Sequence, residues 1–251
     1  MSGLYEELKN RLEQEHGIAI ATVIRGVEQP GARMLIYPDA TTHGTLGSPE
    51  LDQQVTSDAT QAIWTSGAAL HQYSLAQPDA RTIEVFIEGF PPPPELIIVG
   101  AGHIAIPLTT FAKTLNYRVV VIDARAAFAT PERFPHADEL IVAWPDEILS
   151  QRPIYPSTAV AVLTHDPKFD EPTLKVLLER HGGYVGAIGS RKTSTERGER
   201  LKMQGLTDEQ LQRIYGPIGL DIGATSPEEI ALSIITQIVA YRHGKIGPQQ
   251  R

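Results

Sequence analysis

Residues 95–125 read ELIIVGAGHIAIPLTTFAKTLNYRVVVIDAR, and the order of their parts decides the fold. Leu96 to Val99 is an apolar run of the kind that makes a strand buried in a parallel sheet. It feeds into Gly100-Ala101-Gly102-His103-Ile104-Ala105, which fits the G-x-G-x-x-G/A pattern. Ile104, Leu108, Phe111, Ala112 and Leu115 then fall on one helical face, and a second strand, Arg118 to Ile122, ends at Asp123. Gly100 allows a tight turn, Gly102 lets backbone approach a pyrophosphate, and Ala105 is small enough for close packing of helix on strand. The helix N-terminus offers unpaired N–H groups and partial positive charge to phosphates. Asp123, 23 positions after Gly100, stands where a carboxylate accepts hydrogen bonds from ribose hydroxyls. The glycine pattern alone is weak; strand, turn, helix, strand and acid in this order indicate a Rossmann-type nucleotide site. The competing reading is a doubly wound sheet whose glycines serve packing alone.

Downstream, apolar runs alternate with helical patterns. Glu139 to Val142, Thr158 to Leu163 and Tyr184 to Ile188 read as strands, and Glu171 to Arg180 as a helix. Such alternation indicates a parallel α/β sheet, with strand order 3-2-1-4-5 from short right-handed connections. Ser190 to Gln204 reads as a basic helix and Thr207 to Tyr215 as another. In the last helix Ser226 is a cap, Pro227 suits the first position, Glu229 completes a capping box and Gly244 is the stop.

Upstream, the pattern changes. Leu4 to Glu15 reads as an amphipathic helix, Ile18 to Ile24 and Met34 to Tyr37 as strands, and Thr41 to Pro49 as a loop. Glu50 to Thr65 reads as a helix, followed by strands at Leu70 to Leu75 and Thr82 to Glu88. The run Gly89-Phe90-Pro91-Pro92-Pro93-Pro94 favours an extended, semi-rigid spacer. The expected organisation is therefore a smaller α+β domain at 1–88, a Pro-rich linker at 89–95 and a C-terminal Rossmann-like parallel-sheet domain at 96–251. Overall the fold class is α/β.

Composition excludes several function classes. A net charge of −8 argues against a general nucleic-acid binder. The absence of cysteine removes disulfides, zinc-thiolate sites, iron–sulfur clusters and a cysteine nucleophile. No apolar run approaches a membrane span and the first residues do not resemble a signal peptide, so a cytoplasmic location is expected.

Ligands of open α/β sheets bind at the carboxyl ends of the strands. That rule gathers Gly100 to His103, Asp123 with Arg125, Thr164-His165-Asp166, Gly189-Ser190-Arg191-Lys192 and Gly219 to Gly223. His103 is either a neutral imidazole near phosphate or a surface histidine. Asp123 favours NAD, whereas Arg125 suits the 2′-phosphate of NADP; the alternative is a structural aspartate that caps the turn. Thr164, His165 and Asp166 suit acid–base chemistry, a metal ligand or a hydrogen-bonding clamp, with Asp166 or Asp170 holding the His165 tautomer. The alternative there is a polar turn that starts the next helix. One histidine near acids defines no metal site. Ser190, Arg191 and Lys192, at a helix start after a strand, are candidates for phosphate, while Arg197, Arg200 and Lys202 further along read as a solvated helix face. No serine-hydrolase elbow, P-loop or HExxH helix is present.

Together GAGHIA with DAR, LTHD with Asp170, GYVGAIGSRKTSTERGERL and PIGLDIGATSPEEIALSIITQIVAYRHG resemble the XdhC/CoxI family from Leu96 to Gly244. Ala21-Thr22-Val23 and Gln29 to Met34 look like its N-terminal signature. The resemblance implies a maturation factor for molybdenum hydroxylases of the xanthine or carbon monoxide dehydrogenase type. It also implies binding of molybdenum cofactor (molybdopterin), delivery to the apo-hydroxylase, traffic with a sulfur-transfer protein and a homodimer. Many family members carry a cysteine in a first-domain G-[ST]-[IL]-G-G-G-C-L-E run. Here the stretch is Gly44-Thr45-Leu46-Gly47-Ser48-Pro49-Glu50-Leu51-Asp52, with Glu50 at the cysteine position. A carboxylate is neither a soft ligand nor a sulfur carrier. His165, Asp166 and Glu50 are the candidate catalytic residues should the chain turn over a substrate. Two other functions compete: an NAD(P)-dependent oxidoreductase and a nucleotide-binding regulator.

Overall fold

The structure, a computed structural model, describes residues 2–26, 29–65, 67–75, 82–180 and 183–247. Met1 and 248–251, the outer ends of the two expected domains, lie outside the described residues. The chain divides into two compact units, Met1–Pro93 and Pro94–Arg251.

The first unit contains α1 (Ser2–Glu13), β1 (Ile18–Arg25), β2 (Arg33–Ile36), β3 (Thr42–Gly44), α2 (Pro49–Thr65), β4 (Ala68–Ser74) and β5 (Thr82–Phe90). Its strands form an antiparallel sheet in the order β3-β2-β1-β5-β4. Pro49, Glu50 and Asp52 suit the first turn of α2, where a fixed φ and negative charge are favourable. The helix buries Leu51, Val55, Ala59 and Ile63, a stripe at spacing four. Alternate residues Ala19, Ala21 and Val23 of β1 and Ile83, Val85 and Ile87 of β5 complete this core. Each larger buried side chain contributes roughly 1.5–3 kcal/mol. Sheet and helix approach so closely at Gly89 that a Cβ there would lie 2.0 Å from the carbonyl oxygen of Ala62. The stretch expected as a loop at Thr41 to Pro49 contains β3, which pairs with Met34 to Ile36. Its residues Thr42, His43 and Gly44 are all exposed and carry no apolar run to mark a strand. β5 continues through Phe90 and β6 begins at Glu95, so Pro91 to Pro94 alone separate the two strands.

The second unit opens with β6 (Glu95–Val99), α3 (Ala105–Thr114), β7 (Arg118–Ile122), β8 (Glu139–Ile141) and α4 (Pro145–Gln151). It continues with β9 (Ala159–Val162), α5 (Pro167–Arg180), β10 (Val185–Ala187), α6 (Arg191–Met203), α7 (Asp208–Gln212), β11 (Ile214–Tyr215) and α8 (Pro227–Arg242). The sheet is parallel throughout, in the order β11-β10-β9-β6-β7-β8. This is the expected 3-2-1-4-5 order with a sixth strand added. That strand corrects the helix expected over Thr207 to Tyr215: α7 stops at Gln212, and Ile214 and Tyr215 pair beside Val185 and Gly186. α5 starts at Pro167, a turn before Glu171, because Asp166 accepts the first helical N–H bonds from Phe169 and Asp170. β6 divides the core: Leu96 and Ile98 join α3 and α8, while Ile97 and Val99 join α4, α5 and α6. The strand order reverses between β6 and β9, which opens a crevice at their carboxyl ends.

Candidate cofactor-binding site

β6 runs into Gly100 and its neighbour β9 into Leu163 and Thr164. Gly100 has φ +103°, and a Cβ there would lie 2.7 Å from Thr164 Cγ2. Both the turn and the approach of the neighbouring loop therefore require glycine. At Gly102 an added Cβ meets nothing within 4 Å, so its bare backbone borders open space. α3 follows at once, and no side chain caps it at Ile104. Its first-turn N–H groups have no intrahelical acceptor and suit an anion.

These elements border a cavity of about 620 Å³, a size common for small-molecule sites. Of the residues expected at the site, Gly102, His103, Arg125, Thr164, His165 and Asp166 line it. The side chains of His103 and His165 are exposed. Phe128, Thr225, Pro227 and Ile230 line it as well. Spacing does not point to these four: the capping box marks where α8 begins but not which cavity it reaches, and Phe128 lies on a loop without periodicity.

Asp123, expected as an acceptor for ribose hydroxyls, is buried at 2% exposure. Its Oδ1 accepts from the backbone N–H and Nε of Arg125, each at 2.9 Å. Its Oδ2 accepts from the Ala101 N–H at 2.7 Å and the second guanidinium arm of Arg125 at 2.8 Å. Burial raises the Asp123 pKa, but the bonds from Arg125 and Ala101 outweigh it and hold the carboxyl below its ordinary value. The Arg125 guanidinium also lies 4.3 Å from the centroid of Phe128.

Behind the cavity wall, Thr164 donates to Asp170, and Arg197 approaches the other Asp170 oxygen at 3.4 Å. Arg197 also donates to the Ile188 carbonyl at 2.6 Å. Asp170 and Arg197 are 2% and 4% exposed, a buried ion pair joining α5 to α6. Burial raises the Asp170 pKa against the hydrogen bond from Thr164. Asp166 accepts the Lys168 N–H at 3.1 Å and pairs with the Lys168 ammonium at 3.2 Å. Both acids expected to orient His165 are thus engaged elsewhere. Among the described residues, no group of three or more His, Asp or Glu side chains could hold a metal ion.

The remaining candidates lie outside the cavity lining. Ser190 caps α6 through its hydroxyl, which accepts the Thr193 N–H at 3.1 Å. Arg191 and Lys192 are exposed, and Lys192 lies 3.9 Å from Glu196. Gly219 is tied to Gln237, whose side-chain oxygen accepts its N–H at 2.9 Å. Glu50 is exposed on α2 of the first unit. Its neighbour Asp52 clamps the preceding loop, accepting from the Leu46 N–H and the Thr45 hydroxyl at 2.7 Å each.

Residues 96–238 match the model of the XdhC Rossmann domain, and residues 11–74 that of the XdhC and CoxI family. A Bacillus subtilis (strain 168) protein named as a probable xanthine dehydrogenase component is 36% identical over 162 residues, 64% of this chain and 47% of that protein. The molybdenum cofactor insertion chaperone PaoD of Escherichia coli (strain K12) is 33% identical over 85 residues, 34% of this chain and 27% of PaoD. The chain thus spans about half the length, or less, of these curated relatives. A crystal structure described as a xanthine dehydrogenase from Bacillus halodurans superposes with a TM-score of 0.55 at 24% identity, covering 98% of this chain and 97% of that one. That likeness speaks for the fold. The Rossmann-domain match covers more than half of the chain, the second match lies in the first unit, and the protein belongs to the XdhC and CoxI family.

Proposed function

We propose that this protein is a maturation factor that holds molybdenum cofactor at the carboxyl ends of β6 and β9 and passes it to an apo molybdenum hydroxylase. Family membership and a relative named as a molybdenum cofactor insertion chaperone support a maturation role. The observation that carries the binding step is the open cradle at Gly102, followed by an uncapped helix N-terminus, with Arg125 lining the same cavity. This donor set fits a phosphate-bearing group: backbone N–H groups and a guanidinium supply hydrogen bonds to anionic oxygen. The cofactor would bring the redox-active molybdenum; the residues of this chain bind it, orient it and shield one face. Gly102 to Ala105 would hold phosphate, Phe128 and Ile230 would offer apolar contact, and His165 would lie at the open side. The chain holds no cysteine, so it would not carry sulfur as a thiolate itself.

The reading is tested by transfer. Cofactor-loaded protein, mixed with the apo form of a xanthine dehydrogenase-type hydroxylase, should restore activity faster than an equal amount of free cofactor. Equal rates with loaded protein and free cofactor would overturn it.

A further inference from the structure

We infer that the cavity reads a phosphomonoester, rather than a ribose diol, at the carboxyl end of β7, and that Arg125 is the residue that does so. This rests on the reading of the cavity as the site of a phosphate-bearing cofactor. In a nucleotide-binding Rossmann unit the acid at this strand end accepts from ribose hydroxyls. Asp123 cannot play that part as it stands. Its carboxylate accepts four protein donors, three of them from Arg125 and one from Ala101, which uses its lone-pair sites. It is also nearly sealed from solvent.

Arg125 is placed the other way. Its side chain is 42% exposed and lines the cavity. Asp123 engages Nε and one terminal nitrogen, so the other terminal nitrogen keeps its N–H donors. The Phe128 ring also packs against the guanidinium. Asp166, the acid that also lines the cavity, is paired with Lys168, which tempers its repulsion of an incoming anion. A half-exposed guanidinium fixed by Asp123, with one terminal nitrogen unused by that carboxylate, is suited to the oxygens of a terminal phosphate. The uncapped start of α3 lies on the same cavity and provides a second anion site. The ligand class is therefore a small molecule with phosphate near Gly102 and a further dianionic phosphate near Arg125.

The test uses calorimetry on the full chain with three probes: 5′-AMP, 2′-deoxy-5′-AMP and adenosine 2′,5′-bisphosphate. The bisphosphate should bind about tenfold or more tighter than AMP, since charge-assisted bonds distinguish them. AMP and its deoxy analogue should bind alike. R125A should abolish the preference for the bisphosphate. It should also free Asp123, so that AMP becomes preferred over the deoxy compound, a gain that mere damage to the fold would not produce. Equal affinity for bisphosphate and AMP in the wild type overturns the inference, as does discrimination against the deoxy analogue or failure to bind any probe at millimolar concentration. Retention of pterin by wild type and R125A alike would overturn it while leaving the proposed function standing. An Arg125-dependent bisphosphate preference without retained pterin would uphold it and remove the cofactor assignment.

Discussion

Asp170 and Arg197 are the residues on which the site wall depends. A buried pair is costly to desolvate, and removing one partner strands the other charge. Asp170→Ala or Arg197→Ala should each cost about 3–5 kcal/mol. The joint replacement Asp170→Leu with Arg197→Met should recover most of that loss, as read from urea midpoints. Single variants as stable as wild type would show that the pair contributes nothing. Asp123 makes a pH-dependent prediction. Its folded pKa is depressed, so its stabilisation is complete above the ordinary carboxyl value of 3.8 and is lost as pH falls through the folded value. Asp170 has the opposite sign: its raised pKa costs stability above the folded value, and that cost is relieved as pH drops through it toward 3.8. Asp123→Asn should therefore destabilise the protein more at pH 7 than at about pH 3. An equal loss at both pH values would contradict the Asp123–Arg125 geometry. The sequence places Asp123 at a strand end and Arg125 beside it, and both are found there. That the arginine turns back and fills the carboxylate depends on side-chain packing, to which residue spacing is blind. The same holds for Arg197, which reads as one more charge on a solvated basic helix yet is buried beneath the strand ends.

At the scale of elements, the two glycines of the β6–α3 turn separate fold from ligand. Gly100→Ala should lose about 1–3 kcal/mol from backbone strain alone, with further loss against Thr164. Gly102→Val should leave thermal stability nearly unchanged, because its Cβ enters open space, while blocking the approach of a ligand to the backbone. A large fall in melting temperature for Gly102→Val would show that the turn is purely structural. α8 carries the capping box expected for it: the Ser226 hydroxyl accepts the Glu229 N–H at 3.2 Å, and Glu229 accepts the Ser226 N–H at 3.0 Å. Ser226→Ala should cost about 1 kcal/mol in a denaturation experiment. Caps and long apolar runs are legible because they are local. β3, β11 and α4 are not: Thr42-His43-Gly44 carries no apolar run, Ile214-Tyr215 is only two residues, and the seven of α4 are too few for a helical period to emerge.

On the scale of the molecule, the chain joins an antiparallel α+β unit to a six-stranded parallel one, and the family is recognised in both. No helix among the described residues is long and apolar enough to cross a membrane. The candidate cavity lies wholly in the second unit, whereas Glu50 lies in the first. Whether the Gly102 cavity holds molybdenum cofactor, as proposed, is tested most directly by pterin retention. Wild type and Gly102→Val would be purified from cells that make the cofactor, oxidised, and assayed for fluorescent pterin released per chain. Near-stoichiometric pterin from wild type and a loss of most of it from the equally stable variant is the predicted result. Wild type without pterin, or equal pterin from both, would contradict it.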